Sequence, residues 1–121
     1  MSETQSFVLL FSSDLMLISS VSGAASAAGR LFASVSRVSD LIAKSPNEST
    51  LLCLDLSAAE GDPNEIALVV GCDVLAHGVA FGPHVHTAKL DLARLAGFGH
   101  VMSRGQFVAK LLSIVSAGDQ V

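Results

Sequence analysis

The sequence contains no Trp and no Tyr, only two Cys and three Pro, and charged residues make up only 15% of its 121 positions. Each shortage excludes something. Six Phe are the whole aromatic complement, and none is interleaved with basic residues, so there is no stacking platform for single-stranded nucleic acid. Seven Lys and Arg are scattered through a chain of net charge −4, without the basic run that a phosphate backbone would require. Cys53 and Cys72 are not in Cys-x-x-Cys spacing. A disulfide framework is therefore not expected, and a reducing cytoplasm fits. Cys53, inside an apolar run, reads as a small core hydrophobe. No stretch reaches the roughly 18 uninterrupted apolar residues of a membrane span. Phe7 to Val21 is apolar and Ala25-Ser26-Ala27 resembles a signal-peptidase site, but Glu3 precedes it without any Lys or Arg, and Asp14 interrupts it. The charged start of a secretion signal is missing. The chain also lacks a Gly-x-Ser-x-Gly elbow, a P-loop and a dinucleotide Gly-x-Gly-x-x-Gly. No enzymatic activity is expected, and no cofactor is required. A flavin site is disfavoured as well, because no hydroxyl-rich loop follows the first apolar run.

Half of the residues are hydrophobic, which excludes disorder and suits a sheet buried on both faces beneath Ala-rich helices. Residues 1–6 read as a polar tail, residues 7–116 as one domain and residues 117–121 as a second tail. Phe7–Phe11 reads as a strand and Leu15–Ala28 as a helix, with Ser12, Ser13 and Asp14 offering possible caps and Gly29 as its stop. Leu31–Val35 reads as the second strand, and a short helix starting at Ser39 or Asp40 runs to Lys44. Leu51–Leu56 is a short apolar run typical of a buried strand. After a loop, Asp62-Pro63 opens a helix to about Cys72. Val74–Phe81 reads as the fourth strand, His84–Ala96 as a helix ended by Gly97, His100–Met102 as a fifth strand and Gln106–Val115 as the last helix. Strict alternation of strand and helix predicts an α/β fold with a doubly wound, five-stranded parallel sheet in three α/β/α layers. This is the flavodoxin-like architecture.

Asp55 is the most informative residue. A carboxylate at the carboxyl end of a buried strand lies where open α/β sheets gather their ligand chemistry. The apolar first strand before an acidic loop, Leu52-Cys53-Leu54-Asp55, the segment Gly82-Pro83-His84-Val85 through Ala96-Gly97-Phe98, and His100-Val101-Met102-Ser103-Arg104 come in an order that resembles the receiver domain of response regulators. The resemblance covers nearly the whole chain. It implies a signal-transduction role in a two-component system, with Asp55 as the phosphoacceptor candidate.

A receiver that works by phosphorylation needs an acidic pair after the first strand to bind Mg²⁺, a hydroxyl at the end of the fourth strand and a lysine at the end of the fifth. This sequence departs from that pattern. Ser12-Ser13-Asp14 leaves at most one carboxylate for the pair, Phe81-Gly82-Pro83 offers no hydroxyl, and Ser103-Arg104 stands where Lys-Pro is expected. Arg104 can bind an anion, although its planar fork does not replace a compact ammonium. The implied Mg²⁺ site is therefore weak and consists of Asp14 and Asp55. Ser12, Ser13, His84, Ser103 and Arg104 are the other pocket candidates. His84 and His86 lack the further ligand spacing that zinc requires.

Asp55 admits three roles: a cap on its own loop, a cation or ligand contact, and a phosphoacceptor. The reading that follows is a pseudo-receiver acting through protein–protein contact. A phosphorylatable single-domain regulator and a small-molecule or anion-binding module are the alternatives. The resemblance implies a signalling protein or histidine kinase as partner, or a second copy of the chain. It places the contact on His84–Ala96 and Arg104–Val115, with Lys89, Arg94, Phe107, Val108 and Lys110 as candidates. No nucleic acid or membrane partner is expected.

Overall fold

The computed structural model describes residues 7–117. The strands are β1 (Phe7–Phe11), β2 (Leu31–Val35), β3 (Thr50–Asp55), β4 (Val79–Gly82) and β5 (His100–Ser103). The helices are α1 (Leu15–Ala27), α2 (Val38–Lys44), α3 (Pro63–Val70), α4 (Cys72–His77), α5 (Thr87–Ala96), α6 (Arg104–Ala109) and α7 (Leu111–Ala117). All strand pairs are parallel, in the order β2-β1-β3-β4-β5. The expected doubly wound α/β architecture is therefore present. The tail expected at residues 1–6 lies outside the described residues, as do residues 118–121 of the one expected at 117–121, and Ala117 instead ends α7.

Side-chain alternation along each strand distributes the core to two sides. Leu9, Phe11, Leu52, Leu54 and Ala80 pack with Leu41, Ile66, Val74, Leu75, Leu90 and Ala93, which come from α2, α3, α4 and α5. Val8, Leu10, Leu51, Cys53, Val79 and Phe81 pack with Leu17, Val21, Ala25, Phe107, Leu111 and Val115 from α1, α6 and α7. β3 is central and every one of its residues is buried, so it shows a continuous apolar run rather than polar–apolar alternation. Burial pushes the Cys53 thiol up to about 12, which leaves it protonated and inert.

Local signals account for most boundaries. The Asp14 carboxylate accepts from the backbone N–H groups of Met16 and Leu17 and caps α1. Asp62 accepts from the Asn64 N–H, and Pro63 opens α3. Gly97, at φ 115°, ends α5. The segment expected to be the start of the fourth strand is different. Gly71, at φ 85°, breaks the helix after Val70, and Cys72–His77 forms the separate α4. Val74 and Leu75 are buried as expected, but on a helix. A short apolar run does not by itself distinguish the two states. What decides is the register, because β4 begins at Val79 opposite Cys53. The helix expected from His84 begins at Thr87 with His86 at its N-cap. The single helix expected over Gln106–Val115 instead begins at Arg104, because Ser103 caps it, and divides at Lys110 into α6 and α7. Among the described residues no helix is long and apolar enough to cross a membrane.

Candidate functional site at the carboxyl edge of the sheet

The alternation that sorts the core also builds the site. Phe11 lies opposite Leu54, so the next residue along β1, Ser12, comes beside Asp55. Both continue the row that faces α1 and α6. Ser12 is 1% exposed and Asp55 is 3% exposed. The Ser12 hydroxyl donates to Asp55 Oδ2 at 2.7 Å and accepts from the Asp14 N–H at 3.1 Å. A hydroxyl can do both at once. The other carboxylate oxygen, Asp55 Oδ1, accepts from the Ser57 N–H at 2.9 Å. This is the two-residue loop closure that Asp favours at strand ends. The loop folds tightly over the strand end: a Cβ at Gly61 would lie 2.7 Å from the Asp55 carbonyl oxygen.

Asp14 extends the chain of contacts outward. Its Oδ1 caps α1, and its Oδ2 accepts from Arg104 Nη2 at 2.6 Å. The Arg104 guanidinium and the capping N–H of Leu17 hold the Asp14 carboxyl below its ordinary value of 3.8. A continuous polar path thus runs from Asp55 through Ser12 and Asp14 to Arg104. It joins the central strand to the first turns of α1 and α6. Beneath it, the Phe81 and Phe107 rings stack with centroids 4.0 Å apart and planes within 6°.

The structure gathers Ser12, Asp14, Asp55 and Arg104 and leaves the other pocket candidates outside that path. Ser13 and His84 are exposed. Ser103 is used locally, in a capping box with Gln106. Sequence reasoning did not include Lys89 in the pocket, yet its Nζ donates to the Leu56 carbonyl at 3.3 Å, directly beside Asp55. No sequence signal points to that contact, because Lys89 and Leu56 meet only through the packing of α5 on the sheet. Phe81 lies opposite Asp55 and Gly82 lies opposite Ser103. The ends of β4 and β5 therefore bring neither a hydroxyl from β4 nor an ammonium from β5 to the aspartate. Among the described residues no three His, Cys, Asp or Glu side chains gather as a metal cluster.

The fold is similar to that of a response regulator receiver domain from Rhodospirillum rubrum, with a TM-score of 0.72 over 95% of this chain and 94% of that one, at 11% identity. This chain has the receiver-domain fold. A response regulator from Colwellia psychrerythraea is also similar, with a TM-score of 0.62 over 93% of this chain and 98% of that one, at 14% identity. NtrX from Brucella abortus matches with a TM-score of 0.70 at 14% identity, over 94% of this chain but only 26% of its own length. No family profile matches the sequence, and no curated protein does either. Asp55 ends β3, with Ser12 and the Asp14–Arg104 pair around it.

Proposed function

We propose that the chain is a receiver-like signalling domain that works by presenting a surface to a protein partner, and that Asp55 braces the site instead of accepting a phosphoryl group. One observation carries this reading: Asp55 is buried, and both of its carboxylate oxygens are already engaged, by Ser12 and by the Ser57 N–H. Phosphoryl transfer requires a carboxylate oxygen free to attack and positive charge to neutralise what develops in the transition state. The residues present do not fit Mg²⁺, which demands near-octahedral oxygen coordination. Asp14 gives one oxygen to the α1 cap and the other to Arg104. Ser12 supplies Asp55 with a hydroxyl donor where a metal site would supply a second carboxylate. The Arg104 guanidinium neutralises Asp14 from within the chain.

The partner-facing surface in this reading is formed by α5, β5, α6 and α7. Lys89, Arg94, Val108 and Lys110 are exposed there, whereas Phe107 is fully buried and belongs to the core. A signalling protein, a histidine kinase or a second copy of the chain is the kind of partner that the fold suggests.

The test is exposure of the folded protein to acetyl phosphate or beryllofluoride with Mg²⁺, followed by amide NMR at Ser12, Asp55 and Ser57. Unchanged spectra and no hydroxylamine-sensitive phosphate are expected. Saturable shifts, with phosphate incorporation lost in Asp55→Asn, would overturn the reading in favour of a phosphorelay regulator.

A further inference from the structure

The two outer strands of the sheet differ in what they leave unpaired. β5 forms one edge and β2 the other. Along a strand, successive residues turn their backbone N–H and C=O groups to opposite sides. The His100 N–H donates to the Gly78 carbonyl at 3.1 Å, so His100 and Met102 face β4 while Val101 and Ser103 face outward. The Ser103 N–H is taken by Gln106 Oε1 at 3.0 Å, inside the capping box of α6. The β5 edge is thus closed at its end from within the chain.

The β2 edge is not. The Ser12 N–H donates to the Val35 carbonyl at 2.9 Å, and Leu31, Ala33 and Val35 lie opposite Phe7, Leu9 and Phe11. Leu31, Ala33 and Val35 therefore face β1, and Phe32 and Ser34 turn their N–H and C=O groups outward. No strand among the described residues pairs with that side. Exposed edges are ordinarily blunted by proline, charged side chains or a bulge. Leu31-Phe32-Ala33-Ser34-Val35 has none of these, and its register on β1 is unbroken. Leu31 is 71% exposed. Residues 15–39 contain Arg30 and Arg37 and no Asp or Glu. Arg37, just past the strand, is exposed, and among the described residues its side chain forms no hydrogen bond or ion pair. Glu60 comes to the same corner, but its Oε1 accepts from the Val38 N–H at 2.8 Å, and Asp40 lies in the first turn of α2.

We infer that the β2 edge receives an extended segment of a partner protein, apolar along its length and acidic at the end that meets Arg37. The added strand bonds to the outward N–H and C=O groups of Phe32 and Ser34, covers Leu31 and sets a carboxylate on the Arg37 guanidinium. In this mode main-chain hydrogen bonds give the affinity and flanking side chains the specificity. A second copy of the chain is the poorer occupant. Antiparallel pairing of two β2 strands, with Phe32 opposite Ser34, brings Arg37 of each beside Arg30 of the other, and like charges across strands repel. The β2 edge is at the opposite side of the sheet from β5, so this assignment and that of the α5–β5–α6 face can fail separately.

The experiment is titration of the isotope-labelled chain with acetylated, amidated Glu-Val-Thr-Val-Thr-Val-Glu, followed by amide NMR and hydrogen exchange. The controls are Lys-Val-Thr-Val-Thr-Val-Lys and Glu-Val-Thr-Pro-Pro-Val-Glu, whose adjacent prolines remove a backbone donor in either register. In the free chain the Phe32 and Ser34 amides should exchange faster than those of Ala33 and Val35. The acidic strand peptide should give saturable shifts over residues 31–37 and slow exchange at Phe32 and Ser34 at least about tenfold, since a new ladder protects only the outward amides. The proline peptide should bind at least about fivefold more weakly, and Arg37→Glu should weaken the acidic peptide by a similar factor while strengthening the lysine one. No saturable shift at millimolar acidic peptide would overturn the proposal. So would equal binding of the proline peptide, which would mean charge attraction without a strand. Exchange at Phe32 and Ser34 that slows with protein concentration alone would give the edge to a second copy and overturn it as well.

Discussion

At the carboxyl end of β3, Asp55 has a hydrogen bond on each oxygen and Asp14 is closed by Arg104, whereas at the amino end Glu48 and Asp73 border an open cleft and form no ion pair among the described residues. The same residue type serves two purposes, and burial separates them. A buried carboxylate that lost its partners would incur the full cost of its lost hydration, so the fold supplies donors for it. An exposed carboxylate keeps its water. In this chain the carboxylates at the carboxyl edge of the sheet are met by donors from within the chain, and Glu48 and Asp73 at the opposite edge are exposed.

The largest disturbance of that contrast should come from Phe107→Ala. Phe107 is fully buried and stacks on Phe81 under the polar path. Its truncation should cost about 3–5 kcal/mol in urea unfolding. The amide shifts of Glu48 and Asp73 should stay as in the parent in the fraction that stays folded, since α3 and α4 pack on the other face of the sheet. Loss of both together would mean that the two edges are one cooperative unit.

Next comes Ser12→Asp, which replaces the donor of Asp55 with a second carboxylate. Two adjacent carboxylates resist ionising together, and the hydrogen bond to Asp55 Oδ2 is lost. A loss of about 2 kcal/mol is expected in metal-free buffer, with recovery in millimolar Mg²⁺. Denaturation curves with and without Mg²⁺ check it. A variant whose stability ignores Mg²⁺ would mean that a second carboxylate beside Asp55 does not complete a cation site.

The smallest effect concerns pH. Arg104 and the α1 cap hold the folded Asp14 carboxyl below its ordinary value of 3.8. A lowered folded value means that Asp14 contributes stability above the ordinary value and loses it as pH falls through the folded one. Arg104→Gln should therefore be slightly less stable than the parent at neutral pH, and the gap should close as pH drops below about 3.8. The half-exposed position of both groups keeps the effect small. A gap that stays constant with pH would mean that Arg104 acts through packing alone.

Much of the fold was legible because its signals are local. Asp14 before Leu15, Asp62 before Pro63 and Gly97 after Ala96 are helix ends that need no tertiary partner. Leu51–Leu56 reads as a buried strand from its composition alone. The segment from Val74 was misread because a short apolar run serves equally well in a helix, and only pairing of Val79 with Cys53 starts β4 there. The site was legible in membership but not in wiring. Asp14 and Arg104 were both candidates, yet nothing in their spacing joins residues 90 positions apart. Lys89 reaches Leu56 only because α5 lies against the sheet beside the loop that follows β3.

By itself the sequence determined the order of elements, the helix caps and a carboxylate at the end of the central strand, because each depends on neighbours within a few residues. Tertiary structure alone decided what that carboxylate meets. The register of β1 on β3 sets Ser12 beside Asp55, and the packing of α1 with α7 brings the start of α6 to Asp14. Such contacts arise from how strands align and helices dock, and a one-residue slip in register would turn Ser12 to the other side of the sheet.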